Sequence, residues 1–196
     1  MPSPLNFPSP SNLAQIALRL AAQRGSSYGL NGAPVSPYSH LSGNSVPGST
    51  PLEWLRGRYK CNQFVGDSLT YAGYRMPTWR MSDGSEHYVQ AESLPRAGQY
   101  FARVRALEQI QSGDLLVLDW AAQGSNGAHV EIITSVNRAA GRIWSVGAHK
   151  DGAAEADATH WLVGAKFDPN TNSWVNYATL HGMFRAYILR PLRALG

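Results

Sequence analysis

A chain of 196 residues with 43% hydrophobic and 15% charged side chains is sized for one domain with a buried core, which excludes a disordered chain of low hydrophobicity and high net charge. A formal charge of +4 makes the surface mildly basic, but the densest basic stretch, Arg56, Arg58 and Lys60, is too short for a nucleic-acid footprint. The single cysteine excludes an intrachain disulfide and a cysteine-rich zinc site, and neither metal nor other cofactor is expected.

Residues 1–10 are proline-rich and read as a flexible lead-in to a domain over 11–196. They lack the basic start and apolar stretch of a secretory signal, and no later run has the length of a membrane span. Ser11 or Asn12 can cap a helix over about 12–24, in which Leu13, Ile16, Ala17 and Leu20 share one stripe before Gly25. Residues 26–51 form a long Gly, Ser, Pro and Asn-rich loop, expected to wall a cleft. A second helix is expected over Cys61–Ala72, with Phe64, Val65, Leu69 and Ala72 on its apolar stripe and Gly73 as its stop.

The stretch 76–111 is broken by Pro77, Gly84, Pro95 and Gly98, leaving a short strand or helix over Tyr100–Leu107. Asp114–Trp120, His129–Val136, Arg142–Val146 and Phe184–Arg190 read as strands of an antiparallel sheet. Residues 150–182, with Asp151-Gly152, a Pro169-Asn170-Thr171-Asn172 turn and the rings of Trp161, Trp174 and Tyr177, read as an insertion. The expected fold class is α+β, with helices packed on that sheet.

A lone cysteine is ordinarily a small buried hydrophobe. Cys61 differs in its polar company, Tyr59, Lys60, Asn62 and Gln63, and in its expected place at a helix N-terminus, where unpaired N–H groups and the helix dipole favour a thiolate. The same N–H groups, of Cys61 and Asn62, can face an oxyanion. A nucleophilic thiol needs a base, and His129 opens a strand after the flexible Ser125-Asn126-Gly127. An orienting group is sought at matching strand parity, where Ser145 and His149 stand. His149 is the choice; Glu131 shares the parity of His129, but an acidic strand residue is more often solvated. Tyr59, Asn62 and Ser145 remain as substrate or oxyanion contacts, while His40, His87, His160 and His181 are read as ordinary histidines.

These residues resemble the NlpC and CHAP groups of papain-like cell-wall amidases and endopeptidases. The resemblance rests on Tyr59-Lys60-Cys61-Asn62-Gln63-Phe64-Val65, Ser112-Gly113-Asp114-Leu115-Leu116-Val117, Gly127-Ala128-His129-Val130-Glu131-Ile132-Ile133 and the closing Phe184–Pro191, over roughly residues 55–150 and the last strand. It implies a papain-like fold, a Cys61–His129 catalytic pair and peptidoglycan stem peptides as substrate. The family's third residue, a His, Asn or Glu, maps to no single position here, and His149 is taken for it. With no export signal or wall-binding repeat in view, the chain also resembles a secretion-system amidase effector of the type VI kind. That implies a monomeric toxin working in the periplasm of target bacteria without nucleic-acid or membrane partners, and a cognate immunity protein that plugs the cleft. Two other readings stay open: a wall- or carbohydrate-binding module, suggested by six Trp and nine Tyr, and a Cys-His protease, deamidase or acyltransferase acting on proteins.

Overall fold

The computed structural model describes residues 10–38, 50–120, 127–176 and 184–192. The lead-in before Pro10, the middle of the 26–51 loop with His40, Ser125 and Asn126, and Tyr177 and His181 lie outside the described residues.

Helix α1 spans Pro10–Arg24 and runs into a 3-10 turn over Gly25–Tyr28. Its expected stripe is the buried one, with Leu13, Ala17 and Leu20 in the core and Ile16 packed beside them. Gly25 also answers a close approach, since a Cβ there would stand 2.6 Å from the Ala153 carbonyl oxygen. Helix α2 spans Cys61–Tyr71, and the chain leaves it through Gly73 at φ 79°. Phe64, Val65 and Leu69 are fully buried. Asp67, on the same helix, accepts hydrogen bonds from Tyr28 Oη at 2.8 Å, Gln63 Nε2 at 2.9 Å and Ser36 Oγ, which fastens α2 to the segment after α1.

The strands are β1 (Thr78–Arg80), β2 (Glu86–Tyr88), β3 (Phe101–Val104), β4 (Leu115–Asp119), β5 (Ala128–Asn137), β6 (Arg142–Ala148), β7 (Ala153–Asp157), β8 (Lys166–Asp168), β9 (Ser173–Asn176) and β10 (Phe184–Pro191). A short helix, α3, covers Thr159–Leu162. Strands β1 and β2 pair as a separate antiparallel hairpin with Trp79 opposite His87. The remaining eight form one sheet in the order β7-β6-β5-β4-β10-β9-β8, every pairing antiparallel, with β3 alongside the far end of β10. The protein is thus a mixed α+β fold built on a largely antiparallel sheet.

Strand β4 is buried on both faces, so its Leu-Leu-Val-Leu run is continuous rather than alternating. One face carries Leu115 and Val117 into a core shared with α1 and α2; the other carries Leu116 and Leu118 into a second core with Trp174, Leu162 and Phe184. Of the stretch 150–182 expected as an insertion, residues 150–176 are described and are built into the sheet. They supply β7 at one edge of the sheet and β8–β9 at the other, and α3 lies in the second core. Asp114, directly before β4, is fully buried and forms a two-pronged pair with Arg190 of β10, 2.9 Å on each arm. Among the described residues no helix is long and apolar enough to cross a membrane.

Candidate functional site

A groove of about 1820 Å³ opens where the N-terminus of α2, the start of β5 and the end of β6 meet. The β1–β2 hairpin and the loop before α2 form one wall; Trp120, Asp157, His160 and Trp161 belong to the other.

Cys61 is the first residue of α2 and is 9% exposed. The first bond of that helix runs from Phe64 N–H to the Lys60 carbonyl, so the N–H groups of Cys61, Asn62 and Gln63 point out of the helix end. Lys60, expected among surface cations, is fully buried. Its ammonium donates to the carbonyls of Gly29 at 2.7 Å, Leu30 at 3.0 Å and Arg58 at 2.8 Å. That one side chain gathers two loops at the base of Cys61, and burial pulls its pKa down. Asn62 directs its side-chain amide to the carbonyls of Val89 at 3.2 Å and Tyr88 at 3.4 Å. It therefore ties α2 to the hairpin wall, and any oxyanion contact from Asn62 falls to its backbone N–H.

Strand alternation sets His129 and Glu131 on one face of β5, while Val130 and Ile132 turn to the helix-side core. Cys61 acts on the His129 ring closely enough to raise its pKa, and the ring Nε2 lies 2.9 Å from Glu131 Oε1. With Nε2 engaged by Glu131, Nδ1 is the nitrogen left for sulfur. Burial opposes charge on this ring, but the influence of Cys61 and the hydrogen bond to Glu131 outweigh it and raise the pKa to about 10. Glu131 is 4% exposed. Burial alone would push its carboxyl up; the hydrogen bonds from His129, His149 and Ser145 win and hold it well below the usual carboxylate range.

Three sequence expectations shift here. The acceptor that holds His129 is Glu131, not His149, because an acid passed over as solvated is buried behind the ring. His149 binds the same oxygen from the solvent side, Nε2 to Oε1 at 3.2 Å, with its ring 4.9 Å from that of His129. Ser145 is buried and donates to Glu131 Oε2, so it steadies the carboxylate instead of meeting a substrate. Tyr59 stands on the groove wall at 70% exposure. His87 and His160, read as ordinary, both line the groove.

The arrangement is a relay of sulfur, imidazole and carboxylate, with helix N–H groups beside the sulfur. It can hold a thiolate–imidazolium pair, stabilise a tetrahedral oxyanion and return a proton to a leaving group. His129, Glu131 and His149 also bring three ligand atoms within 4.8 Å of one another, a donor set that suits zinc or ferrous iron. No family model, curated protein or solved structure matches this chain.

Proposed function

We propose that this chain is a papain-like cysteine hydrolase of the NlpC and CHAP type that cuts an amide bond in the stem peptide of bacterial peptidoglycan. The observation that carries the reading is the buried relay Cys61–His129–Glu131, set at a helix N-terminus within an open groove. In the first step the Cys61 thiolate adds to the amide carbonyl carbon. The charge gathers on oxygen and is met by the N–H groups at the end of α2. As the C–N bond breaks, the His129 imidazolium gives its proton to the departing amine, leaving an acyl-enzyme thioester. Water then attacks that thioester, His129 takes its proton, and the carboxylic acid leaves as the Cys61–His129 pair is restored. Glu131 stays ionised throughout, holding the ring and its charge.

The substrate class rests on the motif resemblance and on a groove with room for an extended peptide. On the same footing, the protein acts as a monomeric antibacterial effector in the periplasm of target cells, and an immunity protein blocks the groove in its producer. Incubating the protein and Cys61→Ala with Gram-negative peptidoglycan, followed by mass spectrometry, tests the reading. Cysteine-dependent fragments are expected, and their masses name the bond. Equal digestion by the alanine variant sinks the mechanism.

A second reading has its own observation, the His129, Glu131 and His149 donor set. In a metal-dependent hydrolase these three would hold zinc, which supplies a polarised water, and Cys61 would be dispensable. The two readings part cleanly. The cysteine reading expects activity to survive extensive chelation and to be lost with iodoacetamide; the metal reading expects the reverse.

A further inference from the structure

The groove carries aromatic rings on both sides, Trp120 and Trp161 on one and a more exposed set on the other. Among the described residues, the large apolar side chains that stay exposed are Trp54, Tyr59, Tyr71, Trp79, Met81, Leu107, Val163 and Leu192. Trp54, Tyr59, Trp79 and Met81 lie together on the groove wall built by the hairpin and the loop before α2. Exposed apolar residues scattered singly need no explanation, but a contiguous set beside a nucleophile does.

The two tryptophans of the set are linked through His87. The Trp54 ring meets the His87 ring edge-on at 4.4 Å, and His87 is the cross-strand partner of Trp79. Arg58 lies 5.9 Å from the centre of the Trp54 ring. Tyr59 follows Arg58 and stands two residues before Cys61. The residues remain 38%, 70% and 43% exposed for Trp54, Tyr59 and Trp79, so each keeps surface for a ligand, although Arg58 lies over one face of Trp54.

The chemistry of this wall narrows its occupant. A surface built for apolar peptide side chains would offer aliphatic pockets. This one offers flat aromatic faces interleaved with Arg58, Asp83 and His87, which can hydrogen-bond hydroxyl and acetamido groups. Aromatic faces with polar tips around them suit the apolar C–H face and polar rim of a pyranose ring.

We infer that this wall is a glycan subsite: the substrate is a stem peptide still attached to the amino-sugar chain, whose rings stack on Trp54, Tyr59 and Trp79 while Cys61 attacks the peptide. The inference rests on the cell-wall hydrolase reading above for the identity of the sugar. It turns the aromatic content from a rival reading, a binding module, into part of the same groove.

Two measurements separate this inference from the hydrolase reading. First, Cys61→Ala is titrated calorimetrically with glycan chains stripped of peptide. Binding is expected, weakened about 10-fold by Trp79→Ala and by Tyr59→Ala, the scale of a lost aromatic stack. Second, the active protein is given a disaccharide-linked stem peptide and the same peptide free. The linked form is expected to have a kcat/KM at least about 10-fold higher, an advantage that Trp79→Ala removes. Cleavage of both forms at equal kcat/KM, with no glycan binding, overturns the subsite and leaves the hydrolase standing. Glycan binding without cleavage of either form keeps the subsite and sinks the hydrolase. Variants that bind glycan as tightly as their parent overturn the assignment of these rings.

Discussion

Glu131 survives as an ion in a nearly closed site because three donors converge on it, the rings of His129 and His149 on one oxygen and the Ser145 hydroxyl on the other. A buried carboxylate without such partners would take up a proton. Its charge is therefore available to hold an imidazolium on His129. Glu131→Gln keeps an acceptor and removes the charge, so kcat is expected to fall about 100-fold, within the range of a general acid–base contribution. The alkaline limb of the pH–rate profile, expected near pH 10 from His129, should move to lower pH in that variant. An unmoved limb would mean that Glu131 does not hold the proton. Cys61 and His129, which the fold brings to one groove, were legible as candidates from residue types and motif order. Glu131 and Lys60 were not, because a charged side chain in sequence carries no mark of burial, and both are enclosed by segments distant in the chain.

At the scale of elements, sustained periodicity was the legible signal. The stripe of α2 placed its start at Cys61, and the apolar runs of β4, β5, β6 and β10 marked the central sheet. The short strands were not legible: β1, β2 and β7 are stretches of three to five residues with no sustained apolar alternation. Yet the β1–β2 hairpin makes a wall of the groove. Close approach between elements also sets the relay. Gly147 on β6 lies against Glu131, and a Cβ there would stand 2.6 Å from Glu131 Cγ. That side chain cannot yield, since both carboxylate oxygens are held. Gly147→Ala is thus expected to cost about 1–3 kcal/mol in chemical denaturation, the usual penalty of overpacking. It should also displace the carboxylate, lowering kcat in step with Glu131→Gln. A variant that loses stability but retains full kcat would show that the carboxylate tolerates the shift.

For the whole molecule, three of the buried titratable groups bear most directly on how stability around the site depends on pH. Asp67 holds α2 to the preceding segment; burial raises its pKa from 3.8 to about 7 against the pull of its hydrogen bonds. Because the folded value exceeds the unfolded one, the contribution is full below pH 3.8 and is lost as pH climbs to 7. His129, raised from 6.5 to about 10, adds a contribution that is full below pH 6.5 and is lost as pH climbs to 10. Glu131 runs the other way: its folded pKa is depressed from 4.5, so its contribution is present above pH 4.5 and is lost as pH falls. The three together place maximal stability well on the acid side of neutrality, at roughly pH 4, with a decline from there through the alkaline range. Each unit of displacement corresponds to about 1.4 kcal/mol, so the fall from pH 5 to pH 10 should amount to several kcal/mol in urea titrations. Asp67→Asn should flatten the profile between pH 4 and 7, and His129→Ala should flatten it between pH 6.5 and 10. The site would then share its proton with the fold: the imidazolium that serves the reaction is also a group whose deprotonation loosens the protein. A profile that rises from pH 5 to pH 10 would contradict both groups, and with them the charged state of the relay.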